Sequence, residues 1–367
     1  MTDANPGYWD KYSNLQHVKH ELIQHYLNGW FPKLGFWSGR VLYLDSHAGR
    51  GRHAHGQIGS PIVAIKTLME HRYRDALLTR CEVHFILIEK DDENADFLRR
   101  EIAALGELPK NMSTHTTHGD CFRVLSDIVA ELKRSGKSMA PAFIFVDPYG
   151  FKIPGQILAD LMSAGKVELF VNVIWRELNM AVMTRDQTPR MTQTLDSIFN
   201  GPSWRSLTDV EDTNLRAGKA INLLQEMTEA KWATWITMRG SNNATRYMLM
   251  HLTNHDAGRD LMKDCIWKVC PDGGFHVGKS ENPDQLFLVT PEPDLAPLRD
   301  WVITRLSDGP QHWKNLIANI RSEIWREPHL NSVVRELRKN RTIRGDDYTG
   351  RFCPKSNPLL SLSNADV

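Results

Sequence analysis

Asp45, Glu89 and Asp147 each stand at the end of an apolar run, and a buried strand would deliver each of them to one rim of a sheet. Asp45 follows Arg40–Leu44 and opens Asp45-Ser46-His47-Ala48-Gly49-Arg50-Gly51. In this Asp-x-x-x-Gly-x-Gly spacing, Gly49 and Gly51 let backbone approach a ligand closely, because glycine has no Cβ and tolerates positive φ. The third glycine of a dinucleotide fingerprint is missing, and a glycine turn that only turns is the alternative. Glu89 closes Glu82–Ile88, and at the end of a second strand it can accept both hydroxyls of an adenosine ribose. Its alternative is negative charge favouring the start of the helix at Lys90-Asp91-Asp92-Glu93. Asp147 closes Ala142–Val146 and opens Asp147-Pro148-Tyr149-Gly150-Phe151. Its carboxylate, with a carbonyl exposed by Pro148, can accept hydrogen bonds from an amino group on a planar base, and Tyr149 can stack on that base. A plain β-turn also takes proline and glycine at these places, but it does not need a carboxylate at a buried strand end.

Other candidates have evener alternatives. Asp120, in Gly119-Asp120-Cys121-Phe122 after a short third strand around Met112–Thr117, would accept from an adenine amino group or simply cap the helix Phe122–Arg134. Trp175 and Arg176 follow the fifth apolar run, Val167–Ile174. They would stack on a base and reach a phosphate; otherwise Trp175 packs and Arg176 is solvated. His47, His53 and His55 share a polar loop, yet no carboxylate or cysteine stands at ligand spacing, so they are expected to hydrogen-bond and not to hold a metal. The five cysteines, at 81, 121, 265, 270 and 353, are odd in number and scattered, which argues against a disulfide framework and for a reducing cytoplasm. Cys265 and Cys270 share one predicted helix and are expected to be buried apolar residues.

Positioning these residues takes alternating strands and helices. A helix from Ser13 or Asn14 carries Leu15, Val18, Leu22, Tyr26 and Trp30 on one face. Lys19 and His20 are expected on its solvated faces, with Lys19 folding over a ligand as the alternative. Ser60-Pro61 reads as a helix start. Residues 177–232 read as a polar helical insertion. Ala233–Met238 and Tyr247–Leu252 read as a hairpin across Gly240-Ser241-Asn242-Asn243. An antiparallel hairpin closing a parallel sheet fits methyltransferase-type architecture better than a dehydrogenase. A further helix is expected over about 257–269, and the short runs Phe275–Val277 and Leu286–Val289 could pair.

Beyond a proline-rich linker, 291–299, a compact unit is expected over 300–367. Trp313, Leu316, Ile317, Ile320 and Ile324 make one amphipathic helix; Leu330, Val333, Val334 and Leu337 make a second. Arg341–Arg344 and Arg351–Cys353 read as a wing. The second helix's outer face carries His329, Asn331, Ser332, Arg335, Arg338 and Lys339, and a winged helix-turn-helix lays such a face in a major groove. Residues 299–355 hold twelve Lys/Arg against seven Asp/Glu, whereas the whole 367-residue chain nets only +1, so positive charge gathers here. Packing on a protein partner is the alternative. The fold class expected is α/β: a doubly wound Rossmann-like methyltransferase sheet over 1–290 with a helical insertion, then a C-terminal winged-helix domain. With 41% hydrophobic residues, no apolar run of membrane-spanning length and no signal peptide at Met-Thr-Asp-Ala-Asn-Pro-Gly, a cytoplasmic protein is expected.

Together Leu44–Arg52, Gly59-Ser60-Pro61, Ile88-Glu89-Lys90, Gly119-Asp120, Val146–Gly150, Phe199-Asn200-Gly201 with Trp204, and Tyr247–Asn254 resemble the bacterial three-Cys-motif partner (TcmP) family. The resemblance covers residues 14 to about 340. It implies a Rossmann-type S-adenosylmethionine (SAM)-dependent methyltransferase and association with a radical-SAM-like protein carrying three cysteines. It implies a methyl-donor pocket at Asp45, Ala48, Gly49 and Gly51, Glu89 on the ribose, Asp120 on the adenine, and Asp147-Pro148-Tyr149 at the acceptor. Asp-Pro-Tyr-Gly is also similar to Asp-Pro-Phe-Gly of tRNA guanine-N2 dimethyltransferases and to Asp-Pro-Pro-Tyr of adenine-N6 enzymes, although a single proline precedes the tyrosine here. The function expected is methyl transfer to an amino group of a DNA or RNA base, without a metal. The alternatives are a non-catalytic adaptor that uses the pocket structurally or as a SAM sensor, and a protein or small-molecule methyltransferase.

Overall fold

The computed structural model describes residues 12–240, 243–278, 292–345 and 355–363. These form two units. The first runs through Cys265 and takes back the chain from His276; the second comprises Ile266–Phe275 and the described residues from 292 onward.

The first unit opens with α1 (Asn14–Gly35), then β1 (Arg40–Asp45), α2 (Ser60–Met69), α3 (Arg74–Leu78), β2 (Glu82–Glu89), α4 (Asp92–Ala103), β3 (Met112–His118), α5 (Cys121–Ser135), β4 (Met139–Val146), α6 (Gly155–Ser163) and β5 (Gly165–Val173). The insertion follows as α7 (Trp175–Met183), α8 (Pro189–Phe199), a 3-10 turn at Pro202–Leu207 and α9 (Thr213–Thr228). The hairpin β6 (Trp232–Arg239) and β7 (Thr245–Thr253), α10 (Asp256–Val269) and β8 (His276–Gly278) complete it. The strand order is β3-β2-β1-β4-β5-β7-β6-β8. Strands β1 to β5 pair in parallel, and β7 runs antiparallel between β5 and β6. This is the doubly wound Rossmann-like sheet of the methyltransferase type, with its expected closing hairpin. The run at 275–277 pairs with β6, in parallel, through His276–Gly278, and its expected partner 286–289 lies outside the described residues.

Alternation along the strands gives the sheet two different faces. Tyr43, Phe85, Phe143 and Phe170 line one face, and α1 covers it with Tyr26, Trp30 and Phe31 at ring-centroid distances of 5.1–6.3 Å. Leu44, Ile144, Val146, Leu169 and Val171 line the other, sharing a core with Leu125 of α5, Leu158 and Leu161 of α6, Leu195 of α8 and Ile221 of α9. Helix α1 starts on a capping box: Ser13 Oγ accepts from the Gln16 amide at 3.3 Å, and Gln16 Oε1 accepts from the Ser13 amide at 2.9 Å. Two side chains expected in solvent are buried here, Lys19 and His20, at 5% and 8% exposure. Lys19 lies four residues from Leu15 and three from Leu22, within the same apolar stripe, so the helix carries it inward.

In the second unit, α11 (Ala296–Ser307) begins inside the expected linker, which shortens it. Then come β9 (Gln311–His312), α12 (Trp313–Ile320), α13 (Glu327–Lys339), β10 (Ile343–Gly345) and β11 (Leu359–Leu362). Leu298, Val302, Trp313, Leu316, Leu330, Val334, Leu337 and Leu360 share one core, which also includes Trp267. The end of α10 thus belongs to this core, not to the domain ending at 290. Strand β10 pairs with β11 at 359–362, beyond the expected Arg351–Cys353, which lies outside the described residues. His329 is 8% exposed against Trp267 and leaves the expected outer face, on which Arg335 and Lys339 remain exposed. Among the described residues no helix is long and apolar enough to cross a membrane.

Candidate functional site

The strand order reverses between β1 and β4, and ligands of doubly wound sheets bind outside the strands' carboxyl ends at such a point. The turn after β1 is tied to both neighbours. The Ser46 amide donates to the Phe145 carbonyl at 2.9 Å, and the Ala48 amide to Ile88 at 2.9 Å. Gly49 and Gly51 have φ of 64° and 80°. A Cβ on Gly51 would lie 2.9 Å from Leu98, so both conformation and space favour glycine there.

Asp45 is fully buried, and its carboxylate is spent on the turn. Ser60 Oγ donates to Oδ2 at 2.7 Å, Tyr43 hydroxyl to Oδ2 at 3.2 Å, and the His47 amide to Oδ1 at 3.2 Å. Burial pushes its pKa up to about 7; the Ser60 bond opposes the shift and the nearby charge of Asp147 adds to it. Asp45 therefore braces the turn and has no exposed surface of its own. Glu89, 7% exposed, accepts from the Gly49 amide at 2.7 Å through Oε2 and from the Asp91 amide at 2.8 Å through Oε1. One lone pair on each oxygen stays available for a diol. Asp120 caps α5, accepting from the Arg123 amide at 3.2 Å, and its other oxygen lies 3.6 Å from Lys90 Nζ. The structure thus brings Asp45, Ala48, Gly49, Gly51 and Glu89 together, with Asp120 just beyond the end of the next strand, β3, on the same rim. His47 bridges this side to α5, its rings' nitrogens 2.8 Å from Ser46 Oγ and 3.2 Å from Cys121 Sγ; burial lowers its pKa to about 4 and raises that of the Cys121 thiol to about 12.

Beside the turn, Asp147, Pro148, Tyr149 and Gly150 line a cavity of about 400 Å³, closed by Ser13, Gln16 and Lys19 of the α1 end and by Asn172, Arg176, Arg246 and Tyr247. Lys19 forms an ion pair with Asp147 Oδ2, and Asn172 Nδ2 donates to Oδ1 at 2.6 Å. Burial alone would raise the Asp147 pKa, but the Lys19 charge and hydrogen bond, with Asn172, hold it below the usual carboxylate value. The carboxylate is therefore ionised and fixed, with lone pairs left for a further donor. Tyr149 is 59% exposed at the rim. Trp175 corrects the sequence expectation: it is 1% exposed within the core, so packing, not stacking, is its role, and only Arg176 of the pair reaches the cavity. Asn172 was missed as a site residue, and Lys19 was weighed only as folding over a ligand, not as the partner of Asp147. Asn172 had a signal, being the lone amide in the apolar run Leu169–Ile174. Among the described residues no group of three metal-ligating side chains comes together.

The fold and its rim define the class: a Rossmann-like methyltransferase fold with a glycine turn and an Asp-Pro-Tyr-Gly cavity at its switch point. The sequence matches no protein-family model and no curated protein. Among solved structures it is similar to a putative methyltransferase from Escherichia coli, at 16% identity over 41% of this chain and 66% of that one, with a TM-score of 0.25. It is similar to a SAM-dependent methyltransferase from Agrobacterium tumefaciens, at 11% identity over 64% and 62%, TM-score 0.32. A putative methylase from Haemophilus influenzae shares 10% identity over 62% and 88%, TM-score 0.28. The chain spans less than two thirds of the length of the first two.

Proposed function

We propose that the chain is a SAM-dependent methyltransferase acting on an amino group of a nucleic-acid base. The observation that carries this reading is the meeting of two half-sites at one switch point: the Gly49–Gly51 turn with Glu89, and the cavity headed by an ionised Asp147. Glu89 would hold the ribose hydroxyls on its remaining lone pairs, Ala48, Gly49 and Gly51 would pack against the donor, and Asp120 would take the adenine amino group. SAM supplies a methyl already activated on a sulfonium, so the chain's work is mainly positioning. Asp147 and the Pro148 carbonyl accept hydrogen bonds from the amino group and aim its nitrogen. When that nitrogen is methylated it sheds one proton, and the Asp147 carboxylate is the adjacent acceptor. Tyr149 stacks on a base that is flipped or single-stranded.

Within this proposal the second unit is a winged helix whose Arg335, Arg338 and Lys339 contact duplex. The three-Cys-motif partner resemblance and its radical-SAM-like partner, in a bacterial cytoplasm, belong to the same reading. One observation favours the non-catalytic adaptor instead: both Asp147 oxygens already have protein partners, Lys19 and Asn172.

Calorimetric titration with SAM, followed by transfer of labelled methyl to DNA and tRNA, decides between them. Wild type is expected to bind SAM at micromolar affinity, with Glu89→Ala losing at least tenfold. Asp147→Ala is expected to keep SAM affinity and lose transfer. Absence of SAM binding in the wild type would leave the adaptor.

A further inference from the structure

We propose that Arg176 and Arg246 form an anion subsite at the mouth of the Asp147 cavity, and that the acceptor enters carrying a phosphate. This rests on the acceptor cavity assigned above, but not on which cofactor occupies the neighbouring pocket.

The two arginines are 70 residues apart in sequence and are brought together by strand pairing. Strand β7 runs antiparallel to β5, with Val173 opposite Met248. Continuing that register by two residues sets Arg246 at the strand end from which Trp175 and Arg176 leave. Both side chains line the cavity. Both residues are exposed, and neither guanidinium makes a hydrogen bond or ion pair with another described residue. The third cation of the cavity is different in kind. Lys19 is buried and neutralises Asp147, so the cavity's own carboxylate does not compete for the arginines. Glu177, next to Arg176, is the remaining acidic residue of the lining and stands on the Gly150 side.

The result is a cavity with two separate chemistries. Its floor presents an ionised carboxylate with spare lone pairs, suited to a neutral N–H donor. Its mouth presents two guanidinium forks with no partner among the described residues, suited to the paired oxygens of a phosphate. A nucleotide has this polarity, with the base edge inward and the phosphate outward. A neutral nucleoside or an unphosphorylated small amine would leave both forks unused.

The test compares nucleoside 5′-monophosphates with their parent nucleosides, titrated calorimetrically into the full chain. Wild type is expected to bind at least one monophosphate about tenfold or more tightly than its nucleoside, with Arg176→Ala and Arg246→Ala each reducing that advantage and the double variant abolishing it. A second arm uses 12-nucleotide single strands of DNA and RNA across a salt series. If only the oligomers bind, the phosphate belongs to a polynucleotide, and the double variant should lower the slope of log affinity against log salt by more than one. An advantage that survives in the double variant, or an unchanged salt slope, overturns the subsite. SAM affinity, read in the same variants, should not change; its absence in the wild type would overturn the methyltransferase reading and leave the phosphate result standing.

Discussion

Lys19 governs the chemistry available to Asp147. A carboxylate with 15% side-chain exposure would by burial alone resist ionisation, and the lysine reverses that. The effect has a sign that stability measurements can read. With its pKa lowered in the fold, Asp147 adds stability that is present above the unfolded value and lost as pH falls through the folded one. In Lys19→Met, burial, the largest cause, is opposed only by the Asn172 hydrogen bond and the weaker influence of His47, and the folded pKa is expected to move above the unfolded value. Stability should then fall as pH rises from about 4, because the fold now holds the proton more tightly than the unfolded chain. The gap between wild type and variant is therefore expected to widen from pH 4.5 to 7.5 in urea unfolding, reaching about 3 kcal/mol or more. A gap independent of pH would mean that the pair contributes only packing. At this scale the sequence was uneven. Carboxylates at strand ends were legible because an apolar run ending in Asp or Glu is a local pattern. The pairing of Lys19 with Asp147 was not, because the two lie 128 residues apart and only the i, i+4 relation to Leu15 hinted at the face of Lys19.

Helix α1 does more than cover the sheet: it is the element that carries Lys19, Ser13 and Gln16 to the cavity wall. Its seat is a buried polar knot. Tyr26 donates its hydroxyl to Glu168 of β5, and His251 of β7 lies 3.1 Å from the same carboxylate oxygen. Burial, then the Glu168 charge and hydrogen bond, hold the Tyr26 hydroxyl protonated, its pKa well above the ordinary value. Tyr26→Phe keeps the ring contacts with Phe143 and removes only the donor, so Glu168 is left under-satisfied in the core. The expected cost is about 1–3 kcal/mol in urea unfolding, with a lower affinity for whatever fills the cavity, since α1 then loses its buried hydrogen bond to β5 and leans on the Lys19–Asp147 pair and its apolar contacts. A neutral result would assign the knot's stability to His251. Strands at this scale read well from sequence because each is a continuous apolar run; the pairing of β8 with β6 did not, since three residues carry too little pattern to choose a partner.

At the scale of the whole molecule, the division between the two cores falls inside a helix, where composition gives no sign of it. The proline-rich stretch 291–297 suggested a boundary, yet α10 passes from one core to the other at Cys265. Trp267 is the anchor on the far side. It is 4% exposed, donates through Nε1 to the Ile324 carbonyl at 2.8 Å, and stacks edge-on to His329 at 4.2 Å. This explains why His329 is not on the outer face of α13: a helix read alone offers it to solvent, whereas a tryptophan from upstream covers it. Trp267→Ala is expected to cost the second unit about 3–5 kcal/mol, and hydrogen exchange should show lost protection in α11, α12 and α13 while β1, β4 and β5 keep theirs. SAM binding, if it resides where proposed, should then survive in the variant, whereas duplex affinity carried by Arg335, Arg338 and Lys339 should fall. Equal loss of protection in both units would show instead that the two cores unfold as one cooperative structure.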